Sequence, residues 1–173
     1  MIRGRLRAGL FHEDNMTIRL RTAHARDREI VIEFIHRLNA FEAAIQDDRK
    51  QDYGSARGYY DELTYRLSRS NGRLILAVAD EGPVALMGFS IDEDAAYITD
   101  DRRRHGTVTD LIVDDGWRGQ GVGRMLLDEA ERITREAGLH RLTIGVLDSN
   151  TRARRTYEAF GFRSYVSILT KDF

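Results

Sequence analysis

Cysteine is missing altogether from this 173-residue chain, which removes disulfides, a thiol nucleophile, a CxxC redox pair and any thiolate zinc site. Neither charge sign dominates. With 27 Lys and Arg against 28 Asp and Glu, the broad basic field that non-specific nucleic-acid binding needs is absent. Long apolar runs are lacking too: Leu74–Ala79 is far shorter than the roughly 20 residues that cross a bilayer. Nor does the stretch 1–15 hold an apolar core of signal-peptide length. The expectation is therefore a cytoplasmic protein that contacts neither nucleic acid nor membrane. What remains is an ordinary globular composition, 42% hydrophobic and 32% charged, on a length that suits one domain. Met16 opens a strand-like segment, so residues 1–15 read as a disordered extension and 16–173 as the domain.

Hydrophobic periodicity gives the order β-α-α-β-β-β-α-β-α-β. Ile18 and Leu20 alternate with polar residues as in a half-buried strand. Asp27 precedes Ile30, Val31, Phe34, Ile35 and Leu38, an amphipathic helix with an N-cap residue. A second helix through Tyr59, Tyr60, Leu63 and Leu67 ends at Ser70-Asn71-Gly72. The runs 73–80 and 84–92 are close enough for an antiparallel hairpin, and 93–106 reads as a polar loop. A strand at 107–113, a helix to about Ala137 stopped by Gly138, a strand at 141–147, a helix at 150–160 closed by Gly161 and a last strand at 163–170 complete the chain. Such an order describes a mixed sheet flanked by helices.

The stretch Leu111-Ile112-Val113-Asp114-Asp115-Gly116-Trp117-Arg118-Gly119-Gln120-Gly121-Val122-Gly123-Arg124 reads as strand, glycine-rich turn and helix start. Glycines let the turn aim its N–H groups inward, and the helix adds unpaired N–H groups and a positive dipole end. The combination is an anion cradle suited to a pyrophosphate. It is not a Walker A loop, because Gly123 is followed by Arg124-Met125 rather than Lys-Ser/Thr. It also fails the dinucleotide fingerprint, whose last glycine would fall at Arg124.

Arg118-Gly119-Gln120-Gly121-Val122-Gly123 resembles the Arg/Gln-x-x-Gly-x-Gly/Ala signature of the GNAT superfamily of acyl-CoA N-acyltransferases. The segment from Asn150 through Ala153 and Tyr157 to Gly161-Phe162 is similar to the family's Asn-x-x-Ala-x-x-x-Tyr-x-x-x-Gly-Phe motif. The resemblance implies an α/β (mixed α+β) fold with a central, mostly antiparallel sheet of six to seven strands. About four helices would flank it, and it would splay between strands 4 and 5. It implies acetyl-CoA as donor substrate with no metal, and an amine-bearing small molecule or protein as acceptor, attacked directly in a ternary complex. The pantetheine would pair with the backbone of Leu111, Ile112 and Val113, and the pyrophosphate would rest on the N–H groups of Gly119 through Arg124. Arg118 is partly specified by the motif as a phosphate contact. Asn150 would touch the cofactor, a backbone N–H near Val113 would steady the oxyanion, and Tyr157 would face the thioester sulfur. Dimerisation is common in the family, and the last strand is placed to pair across an interface.

Physical reasoning supports Tyr157 separately. A phenol with a pKa of about 10 can protonate a thiolate whose acid has a pKa of about 8.5 while staying neutral itself. Ala153, Tyr157 and Phe160 also share one helical face, so core packing is compatible with that role. Where some relatives carry a fifth-strand Glu as general base, this chain has Gly145. Asp110 is the replacement candidate, since it lies where the strands must part, while Leu111 and Val113 project to the opposite face. His105 reads as a solvated surface histidine and Asn150 as an alternative helix cap. Arg154 reads as part of an ordinary solvated helix face, and Arg102-Arg103-Arg104 as a charged loop or a recogniser of acidic substrates. Phe41, Tyr59 and Tyr60 suit either an acceptor pocket or the helix core. Two other classes stay open: a non-catalytic acyl-CoA-binding module, and a phosphate- or nucleotide-binding domain without acyl transfer.

Overall fold

A computed structural model describes residues 17–173, so the expected extension at 1–15 lies outside the described residues. Strand β1 (Arg19–Thr22) leads through a single 3-10 turn into helix α1 (Arg28–Ala43), followed by α2 (Tyr53–Arg69). The hairpin β2 (Arg73–Ala79) and β3 (Gly82–Glu93) follows, then a one-turn helix α3 (Asp100–Arg103) and the long strand β4 (Arg104–Val113). Helix α4 (Val122–Glu136), β5 (Leu142–Ile144) and α5 (Thr151–Phe160) complete it. The strands lie in sequence order, antiparallel as far as β4, with β4 and β5 parallel.

Alternation along β2 decides which helices cover which face. Leu74 and Leu76 join Leu86, Ile112 and the apolar stripes of α1 and α2 in one core. Ile75 and Ala77 join Met87, Phe89, Val108 and the apolar stripe of α4 in the other. Strands with side chains of period two, buried on both faces, hold such a three-layer arrangement together. The tether between β1 and α1 is polar: Arg21 donates two hydrogen bonds to Asp27 at 2.7 and 2.8 Å, and the His24 N–H donates a third at 2.7 Å. Asp27 precedes α1, but its carboxylate makes no hydrogen bond to the helix's first turn, contrary to the capping expected from sequence. Asp52 does cap α2, accepting from the Ser55 N–H at 2.8 Å.

Several expectations are corrected. Among the described residues the sheet has five strands rather than six or seven. The run 163–170 forms no strand, and Tyr165, Val166, Ile168 and Leu169 are 67–93% exposed. Period-two patterning shows that a segment can be a strand, but a ladder partner has to be there for one to form. The fifth strand covers 142–144 instead of 141–147. The expected loop at 93–106 contains α3 and the start of β4, where Arg103 is bound to Glu93 and donates to the Asp94 carbonyl at 3.1 Å. His105 is buried rather than solvated, its Nδ1 lying 3.0 Å from an Arg141 guanidinium nitrogen.

Candidate active site

The β4–β5 ladder ends at Val108 opposite Ile144, while β4 continues to Val113. Beyond that point the strands part and leave one edge of the β4 backbone open. A cleft of about 890 Å³ fills the gap, lined by 109–113 on one side and 144–147 on the other. Helix α1 brings Glu42 to it, the loop after α1 brings Asp48, α2 brings Tyr59 and α5 brings Tyr157.

The glycine turn forms one end. Gly119 and Gly121 have φ of +78° and +83°, which side-chain-bearing residues rarely adopt, and a Cβ on either would point into open space. Gly121 is the N-cap of α4 and among the described residues no side chain caps that end, so the first-turn N–H groups of Val122, Gly123 and Arg124 are left to an outside acceptor. Val122 itself is buried in the core, and Gln120 donates back to the Gly116 carbonyl at 2.6 Å; these two take part through backbone only. Arg118 is already engaged: its Nε donates to the Val113 carbonyl at 2.9 Å, it pairs with Asp115, and it lies over the Phe41 ring. Arg124 lies over the Phe160 ring and, among the described residues, makes a long ion pair with Asp128 at 3.9 Å. An open strand edge beside an uncapped helix N-terminus fits a ligand with amides at one end and a pyrophosphate at the other. Among the described residues no cluster of His, Asp and Glu suits a metal ion.

Asp110 lies on the α1/α2 face, with Leu111 and Val113 packed towards the α4 face as alternation demands. It is only 7% exposed. Burial raises its pKa, opposed by the Thr109 hydroxyl, the Tyr59 hydroxyl and the Arg66 charge, with Glu42 acting in the same direction as burial. Tyr59 donates to Asp110 Oδ1 at 3.0 Å, and its own pKa is raised by burial and by that carboxylate. Burial pushes Tyr157 up to about 12, with Glu42 adding to the effect. Asn150 caps α5 through Oδ1, which accepts from the Ala153 N–H at 3.1 Å, yet it also lines the cleft, so its amide nitrogen is the group left for a ligand.

The cleft therefore gathers Asp110, Leu111, Ile112, Val113, Arg118, Gly119, Gly121, Gly123, Arg124, Asn150 and Tyr157, together with Phe41 and Tyr59. Tyr60 is not among them: it packs between α1 and α2 under the Arg28 guanidinium. Arg154 pairs with Asp148 at 2.7 Å. Glu42, which pairs with Arg49 at 2.9 Å, was not found by sequence reasoning, because nothing in an amphipathic helix marks which polar residue will face a cleft built by a distant strand.

The profile of the acetyltransferase (GNAT) family matches residues 38–162. Streptothricin acetyltransferase of Streptomyces lavendulae is 31% identical over 93 residues, 54% of this chain and 46% of that protein. Glucosamine 6-phosphate N-acetyltransferase of Trypanosoma brucei brucei is 33% identical over 70 residues, 40% of this chain and 46% of that protein. The chain thus spans less than half the length of these curated relatives. Among solved structures, aminoglycoside N-acetyltransferase AAC(6')-Iy in complex with CoA superposes with a TM-score of 0.68 at 14% identity, covering 94% of this chain and 99% of that one. At that identity the likeness concerns the fold.

Proposed function

The chain belongs to the acetyltransferase (GNAT) family, and from that premise we propose that it transfers an acetyl group from acetyl-CoA to a primary amine within the β4–β5 cleft. The observation that carries the reading is the parting of β4 from β5 beside the uncapped start of α4. Together these offer a backbone edge for the pantetheine amides and a cradle for the pyrophosphate. Acetyl-CoA, when bound, supplies a thioester carbon open to attack by an uncharged amine. Leu111, Ile112 and Val113 hold the pantetheine, the N–H groups from Gly119 to Arg124 hold the pyrophosphate, and the Asn150 amide orients the chain between them. A backbone N–H near Val113 steadies the charge that develops on the carbonyl oxygen.

The proton traffic follows from the two raised pKa values. The amine nitrogen loses its proton towards Asp110, whose buried carboxylate binds protons more readily than an exposed one. As the new C–N bond forms and the C–S bond breaks, Tyr157 gives its proton to the departing sulfur, and the second proton that the nitrogen sheds in becoming an amide restores the phenol; with a pKa of about 12 Tyr157 is neutral throughout the neutral range before and after the step. The acceptor class supported by the relatives' names is an amine-bearing small molecule such as an amino sugar or an aminoglycoside-like antibiotic.

Gly145, which lines the cleft without offering a carboxylate, favours a second reading in which the donor site persists in a non-catalytic acyl-CoA-binding module. Calorimetric titration with acetyl-CoA, with coenzyme A, ATP and NAD in parallel, tests the donor site. A thiol-release assay over an aminoglycoside, an amino sugar, a polyamine and a free amino acid then separates the two readings. Micromolar acetyl-CoA affinity with amine-dependent thiol release supports transfer. Affinity without release supports the module, and tighter binding of ATP or NAD overturns both.

A further inference from the structure

The carboxylate assigned as proton acceptor sits in the wall of the cleft with little of it exposed, one oxygen enclosed and the other engaged by a hydroxyl. Where β3 passes from Gly88 to Phe89, their partners on β4 are Asp110 and Val108, so Thr109 is a surplus residue that makes a bulge. A bulge lets two successive side chains lean to one face of a sheet. Thr109 and Asp110 do so, filling the space that Gly88 leaves by having no side chain: a Cβ there would collide with Thr109 Oγ1 and Asp110 Oδ2. Asp110 Oδ2 is fully enclosed, and Oδ1 takes the hydrogen bond from Tyr59. Two cleft-lining residues bring hydroxyls to this carboxylate, Thr109 beside it on β4 and Tyr59 on α2, and Tyr59 is the one that reaches it from across the cleft and donates to Oδ1.

We propose that Tyr59 is a further catalytic residue, a proton relay through which the enclosed Asp110 carboxylate acts on the acceptor amine. This rests on the reading of Asp110 as the proton acceptor. In the step, the amine nitrogen gives its proton to the Tyr59 oxygen while Tyr59 passes its own hydroxyl proton to Asp110 Oδ1. The phenol is neutral before and after, the amine becomes an uncharged nucleophile, and the carboxylate becomes a carboxylic acid. A free phenolate is never required, which agrees with the raised pKa of Tyr59. The groups that set the balance are Tyr59 and Arg66 from α2, Glu42 from α1 and Thr109 beside Asp110 on β4. Arg66 and the two hydroxyls favour the carboxylate, while Glu42 and burial favour the acid.

The test is a double-mutant cycle on the full chain, using the fastest acceptor of the amine panel, with kcat/KM followed across pH. Tyr59→Phe keeps the ring and removes the relay oxygen, so kcat/KM should fall by about 10- to 100-fold near neutrality, as in Asp110→Asn. Tyr59→Phe made in the Asp110→Asn background should then cost no more than about twofold further, because one route has been cut twice. Both single variants should recover as pH rises and the free amine becomes abundant, whereas a purely structural role of Tyr59 would lower the rate equally at every pH. A wild-type rate and pH profile in Tyr59→Phe, with Asp110→Asn impaired, overturns the relay and leaves the Asp110 reading standing. A wild-type profile in Asp110→Asn removes both. A readout free of any acceptor is the ¹³C titration of the Asp110 carboxyl: losing the Tyr59 donor should move its midpoint up by about one pH unit, and an unmoved midpoint overturns the relay.

Discussion

Tyr157 illustrates how much one side chain gains from its surroundings. Its ring packs edge-on to Phe162 at 6.0 Å, and the same burial pushes the phenol up to about 12, so packing and proton retention have one cause. Tyr157→Phe keeps the packing and removes the proton. Turnover should drop by about 10- to 100-fold with acetyl-CoA affinity unchanged by calorimetry, and an unaltered turnover removes the acid role. Asp110 carries the opposite relation between function and stability. Its folded pKa is raised, so the folded state binds the proton more tightly than the unfolded chain. Stability from this group is complete below the unfolded value of about 4 and is lost as pH rises through the folded one. Asp110→Asn should therefore melt higher than wild type at pH 8, by about 2–4 °C, with the advantage gone at pH 3, as thermal unfolding at the two pH values will show. The position of both at the cleft was legible in the sequence, that of Tyr157 from its motif and that of Asp110 from strand alternation. Tyr59 could be named only as one of three aromatics, because its bond to Asp110 joins positions 51 apart and depends on how α2 packs over the sheet.

The elements show the same division between local and non-local information. The glycine turn and α4 were legible because conformational demand is local: positive φ at Gly119 and Gly121 asks for glycine wherever the chain goes next. Gly121→Asp tests that element. It places a β-carbon at φ of +83° and a carboxylate at the positive end of α4, so acetyl-CoA affinity should fall more than about tenfold by calorimetry. The domain should stay folded, since that Cβ meets nothing within 4 Å, and a wild-type affinity would mean that the pyrophosphate lies elsewhere. The bulge at Thr109 could not be read, because a surplus residue exists only relative to the register of the strand beside it. For the same reason β5 came out longer in sequence than in structure, and 163–170 carries a strand's pattern without a ladder.

At the scale of the whole molecule, two carboxylates of opposite behaviour shape the response to acid. Asp27 has a strongly lowered pKa, chiefly from the two Arg21 hydrogen bonds and then from the His24 N–H. A depressed folded pKa gives stability that is complete above the unfolded value of about 4 and is lost as pH falls towards the folded one. Acidification thus withdraws the tether between β1 and α1 while relieving the buried charge of Asp110. Asp27→Asn isolates the first effect. Because Arg21 remains about one-third exposed, solvent screens the pair, and the loss at pH 7 should be only about 1–2 kcal/mol. Urea unfolding at pH 7 and at pH 3 should show that deficit shrinking on acidification, opposite in sign to the Asp110→Asn advantage that shrinks over the same range. If both variants instead differ from wild type by constant amounts at the two pH values, neither carboxylate has the folded-state pKa that its partners dictate. The proton path proposed for the cleft would then lose its electrostatic basis.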